Sequence, residues 1–373
     1  MSDDPTIGVN LLWCLPGEVG GSEQYLVRQL LGLAAQADNY EPTLYCLDAF
    51  AAAHPELGDE YPMVTIKATG ARRSSRVFYE HTWLARQTRG ADLVHHGGGT
   101  MPMVGARPAV LTIHDLQYLT YPDYLSPTKR RYLEFAIPRS VRRATIIAVP
   151  TEYVRSTVIE AFDVEPASVV VVPHGVEPTI GADAPTAADL RRDYRLGDGD
   201  VLVFPAITHP HKGHRFLLEV MAMHWGNPDL RLVLLGSAGS VDAEVSDLIQ
   251  SLGLADRVIR PGRVSDADRD GLIALASALV FPSEYEGFGA PAVEAMALGT
   301  PVICSDQPAL AEVVDTAGLV LPLDSDVWAG ALDQVGAKRN ELVSAGHVRA
   351  HDFTAARSGQ ALANAYRIAM EGK

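Results

Sequence analysis

Cysteine is scarce. Cys14, Cys46 and Cys304 are the only three in 373 residues, odd in number, far apart and without a CxxC pair. Neither a disulfide framework nor a zinc knuckle fits that pattern, and a reducing compartment is expected. Positive charge is the minority sign: 31 Lys and Arg stand against 46 Asp and Glu, for a formal net charge of −15. Phosphate backbones are usually met by a basic surface, so no nucleic-acid partner is expected. No apolar run approaches the roughly 20 residues of a membrane span. The opening Met-Ser-Asp-Asp-Pro is acidic where a signal peptide is basic, and a cytoplasmic location is expected. His96-Gly-Gly-Gly resembles a lipase oxyanion loop, but no serine has glycine at both −2 and +2, which excludes the hydrolase elbow. His209, His211 and His214 are interrupted by Pro210 and Lys212, with no carboxylate or thiolate close by in sequence. The Asp-x-Asp triplets at 266–268 and 324–326 read as loop or helix-start residues. No metal and no cofactor are expected.

What is present is a long alternation of short apolar runs and helical patterns. Hydrophobic residues make up 47% and charged residues 21%, enough for a sizeable core. Strands are predicted at residues 6–12, 43–47, 92–95, 110–113, 145–150 and 169–173, with a helix at 22–35 after the first, capped by Ser22. The polar, Pro- and Ala-rich stretch 177–193 interrupts the rhythm and is read as a domain boundary. Strands then resume at 201–205, 231–235, 257–260, 278–281 and 301–304. This βαβ pattern predicts an α/β chain of two Rossmann-like parallel-sheet domains facing a cleft. The expected division is 1–178, 179–351, and a C-terminal helix over 352–373 that packs on its own domain or back toward the N-terminal one. Phe353, Ala361 and Tyr366 are its expected apolar stripe.

The most informative segment runs from Phe281 to Pro301: strand, glycine loop, helix, stop. Gly287 and Gly289 permit unusual backbone angles and close ligand approach. Pro291 suits the first helical position, Gly299 a C-terminal cap and Pro301 a stop, so a helix over about 291–298 is predicted. Its N-terminus is a natural seat for a diphosphate. Glu286 falls in the loop and Glu294 is expected in the first turn. Two carboxylates beside an anion site are costly unless they meet hydroxyls, and a nucleotide sugar supplies both features. The segment resembles the signature of the family-four (group 1) glycosyltransferases, Glu, seven residues, Glu, with flanking Glu-Gly-Phe-Gly and Glu-Ala-Met-Ala-Leu-Gly-Thr-Pro. The likeness extends weakly over the first half of the chain and strongly after residue 200. It implies the two-domain GT-B fold, retention at the anomeric carbon, and donor contacts from Glu286, Gly287 and the amides of Phe288, Gly289 and Ala290, with Glu294 on the ribose.

Other motifs fit the same frame. Lys212, in Thr208-His-Pro-His-Lys-Gly-His, follows a strand and suits a leaving diphosphate. The Arg that family members carry five residues earlier is Ile207 here, and Thr208 is a candidate substitute. Pro205-Ala-Ile-Thr-His-Pro-His-Lys resembles a subset that includes many mannosyltransferases, which implies GDP-mannose as first donor and UDP-glucose as second. Gly20 and Gly21 resemble the family's glycine loop over the reaction centre. His114 resembles the histidine facing the donor sugar, and Asp115 either orients its ring or caps the next segment. Arg263 and Val264 are placed near the base, with Arg263 either stacked on it or a surface charge. Lys129, Arg130, Arg131, Arg139, Arg142 and Arg143 form a basic patch. It reads as a solvated helix face or as a contact for anionic lipid or a phosphorylated acceptor, giving peripheral membrane association. The expected activity is hexose transfer to a glycan, lipid-linked or small-molecule acceptor. A nucleotide-sugar 2-epimerase and an inactive sugar-nucleotide-binding scaffold remain as alternatives.

Overall fold

The structure is a computed structural model that describes residues 4–36, 40–70 and 72–372. The chain divides into two compact units, Met1–Gly175 with Thr354–Lys373, and Val176–Phe353. The first unit holds a seven-stranded sheet: β1 (Thr6–Asn10), β2 (Glu41–Leu47), β3 (Met63–Ile66), β4 (Leu93–His96), β5 (Ala109–Thr112), β6 (Ile146–Val149) and β7 (Val169–Val171). Every pairing is parallel, in the order β3-β2-β1-β4-β5-β6-β7. The second holds β8 (Val201–Pro205), β9 (Arg231–Leu235), β10 (Val258–Gly262), β11 (Ala278–Phe281), β12 (Val302–Ser305) and β13 (Leu319–Leu321), parallel in the order β10-β9-β8-β11-β12-β13. In each sheet the strand order reverses at the first strand, between β1 and β4 and between β8 and β11. Loops leaving the C-terminal ends of those strands are where open parallel sheets receive ligands.

The central strands are continuous apolar runs because helices cover both faces. In β8, Val201, Leu202, Val203 and Phe204 are all fully buried. β3 and β13 were not anticipated. Both are short edge strands with half-exposed residues, so their apolar signal is faint. Residues 177–193 are no free linker. They belong to the second unit, where the Gly181 amide donates to Asp270 (3.1 Å) and Leu190 is buried on the helix Ala187–Asp193.

The last helix, Ala355–Glu371, belongs to the first unit. It crosses the helix Gly21–Ala34 at a contact only glycine permits. A Cβ on Gly32 would lie 1.8 Å from the Ala355 carbonyl oxygen, and one on Gly359 2.1 Å from the Gly32 carbonyl carbon. Its buried face is Leu362, Ala363, Tyr366 and Ala369, with Ala361 only partly covered. Tyr366 reaches into the sheet, its hydroxyl 2.8 Å from Nδ1 of buried His95, whose Nε2 meets the Thr112 hydroxyl at 2.8 Å. Phe353 is not part of this stripe. It packs in the second unit, edge-on to Phe288 (5.3 Å) and beneath Arg349 (4.8 Å).

Candidate functional site

β8 and β11 are neighbours, so the loops after them run side by side. The first ends in the 3-10 turn Pro210–Lys212 and in Gly213, at φ +76°. A Cβ on Gly213 would sit 2.1 Å from the Pro282 carbonyl oxygen, so glycine is what lets the loops touch. The Glu284 amide donates to the His211 carbonyl (2.8 Å) and fixes their register. Lys212 Nζ then donates to Glu286 Oε1 at 2.7 Å, with the side chains 19% and 12% exposed. The ammonium also lies 5.9 Å from the Phe281 ring centroid. Gln307 Nε2 donates to the Glu286 carbonyl (3.2 Å) while its Oε1 caps the helix Pro308–Val314.

The helix after this loop is Ala290–Ala297, with Gly289 as its N-cap at φ +93° and no side-chain cap. A Cβ on Gly289 would meet Leu310 Cδ2 at 2.3 Å. The other end closes as a Schellman motif: Thr300 N–H to Ala295 (2.8 Å), Gly299 N–H to Met296 (3.2 Å), Gly299 at φ +77°. Because the helix begins at Ala290, Glu294 lies in its second turn rather than the first, and it is buried. Its charge acts on Arg269, which also pairs with Asp270 (2.7 Å) and Asp266 (2.9 Å). Burial works against the guanidinium, yet Glu294 and the two aspartates hold its pKa above the usual value. Sequence reasoning missed Arg269. Its only trace is an arginine within the acidic run Asp266-Ala-Asp-Arg-Asp.

Thr208 has a different task from the one expected. Its hydroxyl donates to Asp242 Oδ1 (2.9 Å) and accepts the Gly239 N–H (2.6 Å), and Arg260 also bonds Asp242. With its proton directed at Asp242, Thr208 ties the β8 and β9 loops together. Phe288 is buried, so only its backbone can serve a ligand. Arg263 is exposed after Gly262 (φ +78°), and Val264 packs on the core beside it. His211 is held near pKa 3 by burial and Lys212, and His214 near 4 by burial and Arg260, so both are neutral at physiological pH. Among the described residues, no group of three or more His, Cys, Asp or Glu is placed to hold a metal.

In the first unit, Gly20 is the N-cap of the helix Gly21–Ala34, at φ +63°, ψ −144°, a conformation open only to glycine. The helix thus starts at Gly21, and Ser22 lies inside it instead of capping it. Among the described residues, no atom outside Gly21's chain neighbours and its own helix backbone lies within 4 Å of where a Gly21 Cβ would sit. His114 follows β5, and its Nε2 donates to the Gly97 carbonyl (2.9 Å). That fixes Nδ1 as the unprotonated nitrogen, and Nδ1 is buried without a partner among the described residues. Burial lowers the His114 pKa, so the ring is neutral. Trp13 and Tyr25 flank it at 5.8 and 5.3 Å. Asp115 caps the short helix Gln117–Thr120 through the Gln117 amide (2.9 Å). His174, stacked on Tyr25 at 4.1 Å, carried no sequence signal. In the basic patch, Arg130 pairs with Glu134 (2.8 Å), Arg143 bonds the Met103 carbonyl, and Arg139 lies 5.9 Å from the exposed Phe135 ring. No described helix is long and apolar enough to cross a membrane.

Residues 188–345 match the family described as glycosyl transferases group 1, and residues 19–180 the glycosyltransferase family 4 description. O-antigen chain mannosyltransferase B of Escherichia coli is 30% identical over 249 residues, 65% of this chain and 65% of that protein. The chain therefore spans just under two thirds of that relative's length. O-antigen chain mannosyltransferase RfbU of Salmonella typhimurium is 27% identical over 331 residues, 84% of this chain and 87% of that protein. The crystal structure of Anabaena Alr3699/HepE in complex with UDP and glucose superimposes with a TM-score of 0.76 at 20% identity, over 97% of this chain and 99% of that one. It shares the fold, two Rossmann-like domains of the GT-B type. With both halves matched and the paired glutamates, glycine loops and lysine in place, the chain belongs to the family-four, group 1 glycosyltransferases.

Proposed function

We propose that the protein is a retaining, metal-independent hexosyltransferase. In this reading it takes mannose from GDP-mannose, or glucose from UDP-glucose as second choice, and delivers it to a glycan, lipid-linked or small-molecule acceptor. The observation that carries the proposal is the Lys212–Glu286 pair, 2.7 Å apart, beside a helix N-terminus whose N-cap, Gly289, has no side chain to cap it. A cation and a helix dipole suit the departing diphosphate, and a carboxylate suits sugar hydroxyls. Glu294, buried against Arg269, is assigned to the ribose; Arg263 and Val264 to the base; Gly20, Gly21 and His114 to the donor sugar. The mannose preference rests on the Pro205–Lys212 motif and on two relatives named as mannosyltransferases. UDP-glucose is supported by the structural neighbour solved in complex with UDP and glucose.

With Glu286 assigned to sugar hydroxyls, no residue stands out as a covalent nucleophile, and front-face displacement is favoured. The bond from the anomeric carbon to the diphosphate oxygen breaks as the acceptor oxygen bonds that carbon on the same face. The acceptor's proton passes to the departing diphosphate oxygen. Catalysis is then positioning and charge stabilisation. The acceptor is assigned to the first unit, with the patch from Lys129 to Arg143 receiving a phosphorylated or lipid-linked group. The test is a thermal-shift panel of nucleotide sugars, followed by NMR of the product's anomeric proton. Stabilisation by one diphosphate-sugar family and an α-linked product from an α-linked donor are expected. Flat responses to every GDP and UDP compound would remove the reading; an inverted product would remove retention alone.

A further inference from the structure

The loop between β1 and its helix is held from an unexpected direction. It opens with a Pro16-Gly17 turn, the Glu18 amide donating to the Leu15 carbonyl (3.1 Å) and Gly17 at φ +76°, as a type II turn requires. It closes on Gly20 and Gly21 at the helix start. Two glycines give a loose entry, and the N-cap, Gly20, has no side chain to cap the helix. The restraint comes from Glu23, the third helical residue. Its Oε2 accepts the Gly17 N–H at 2.7 Å, back across the loop. Its Oε1 lies 2.8 Å from His54 Nε2, and His54 Nδ1 lies 2.9 Å from Glu56 Oε1.

His54 is itself pinned. It sits between the helices Asp48–Ala53 and Pro55–Glu60, its amide bonded to the Phe50 carbonyl (3.0 Å) and its ring 4.7 Å from that of Phe50. Tyr61, just past the second helix, donates to the Leu30 carbonyl (2.7 Å) and locks this junction to the helix carrying Glu23. Both His54 and Glu23 are buried. With a carboxylate oxygen beside each nitrogen, the ring donates to both when protonated, and one buried cation then sits between two carboxylates.

We propose that His54, through Glu23, is a positioning residue that sets the conformation of the Leu15–Gly21 loop for the donor. The inference rests on the glycosyltransferase reading, which places Gly20 and Gly21 at the donor sugar. Gly21 fits that role because no described residue beyond its own helix start fills the space where its Cβ would be. The groups facing this site are Glu23 from the helix, Glu56 from the adjoining short helix and Cys14 from the loop, with Arg76 acting on Cys14. Burial pulls the His54 pKa down, and the two carboxylates more than reverse it, so the net shift is upward. A raised histidine pKa gives a contribution fully present below the unfolded value and lost as pH rises through the folded one. Loop anchoring therefore weakens on the alkaline side.

Two substitutions separate anchoring from bulk. His54→Gln carries an amide nitrogen where Nε2 stands and keeps the bond to Glu23 without a titrating proton. His54→Asn carries it where Nδ1 stands and loses that bond. Amide exchange is measured across peptides covering residues 14–22, with kcat and donor KM in parallel. We expect His54→Asn to lower protection of that loop and kcat each by about tenfold, the scale of a small misplacement at a reaction centre. Donor KM should move less. His54→Gln should retain both within about threefold and flatten the alkaline fall of protection. Glu56, with its side chain 44% exposed, offers a variant that tolerates substitution: Glu56→Gln should move that fall to lower pH. Unchanged loop protection in His54→Asn, or an unmoved midpoint in Glu56→Gln, would overturn the anchoring. Lost protection with unchanged kcat would overturn the positioning role. If the wild type transfers no sugar, the functional reading fails, while exchange still decides whether His54 anchors the loop.

Discussion

Replacing Glu286 by glutamine removes a charge and little else. The Lys212–Glu286 pair is 2.7 Å long with both side chains about four-fifths covered. It therefore lies between exposed pairs, worth about 0.2–1 kcal/mol, and buried ones, where removing a partner costs about 3–5 kcal/mol. Glutamine still offers Lys212 an amide oxygen, so the expected loss of stability is about 1 kcal/mol. For a unit of this size that lowers the melting temperature by about 2–4 °C. Transfer should suffer far more, with kcat/KM down at least about tenfold to a hundredfold, or about 1.4–2.7 kcal/mol of transition-state stabilisation. Lys212→Met and the double variant complete a cycle. If the two groups act on each other and on one substrate, their effects are non-additive in both stability and rate. The measurements are thermal unfolding and initial rates with the donor found by the panel. A Glu286→Gln enzyme within about twofold of wild-type turnover would take this carboxylate out of the site. Equal losses of rate and of folded fraction would show that the pair only holds the loops together.

Gly21→Ala should leave the fold intact or slightly more stable, since alanine suits the helix start and meets no protein atom there, while turnover falls; unchanged kcat/KM would show that no ligand approaches Gly21. Activity should survive a chelator, and loss on EDTA restored by manganese or magnesium would refute metal independence. His95 and His96, held near pKa 3 chiefly by burial, bind fewer protons folded than unfolded as pH falls below about 6.5. Their contribution is thus present above that pH and lost below it, by up to about 1.4 kcal/mol per pH unit for each; denaturant unfolding that gave a flat stability from pH 7 to 5.5 would contradict the burial. Neutralising Arg131 and Arg142, which are exposed, should raise the KM of an anionic acceptor and flatten its salt dependence, with donor affinity unchanged; identical acceptor kinetics at low salt would leave the patch a solvated face.

The buried strands and the glycine turn into the helix Ala290–Ala297 were legible because one local force shapes each. A strand covered on both faces must be apolar throughout, and β8, β9 and β11 stand where the runs 201–205, 231–235 and 278–281 predicted them. A glycine loop leading into a helix needs glycine at defined places, and the φ of Gly289 and Gly299 bears that out. What was not legible depends on partners far along the chain. Glu294 reads as a first-turn acid, but its environment is Arg269, on another helix. Thr208 reads as a free hydroxyl until Asp242 and Gly239 fold against it. The last helix carries a stripe in sequence, yet its crossing on Gly21–Ala34 turns on Gly32 and Gly359, two residues that helix propensity disfavours. Glu23, His54 and Glu56 are spread over two segments, and no spacing rule joins them.

The bond from Thr208 to Asp242 sharpens what the proposed reading asks of Lys212. With Ile207 apolar and the Thr208 proton given to Asp242, the loop after β8 offers a diphosphate one cation. The helix N-terminus at Ala290 adds roughly half a unit of positive charge. In the proposed reading the departing nucleoside diphosphate gains negative charge as its bond to the sugar breaks, and these two sources in the second unit are assigned to stabilise it. Glu286 meanwhile holds Lys212 by a direct bond, and the same carboxylate that suits sugar hydroxyls sets where the ammonium points. Moving Glu286 therefore moves the cation as well. The glutamine effect on rate should accordingly shrink when Lys212 is already methionine, because one of the two functions lost is then already gone.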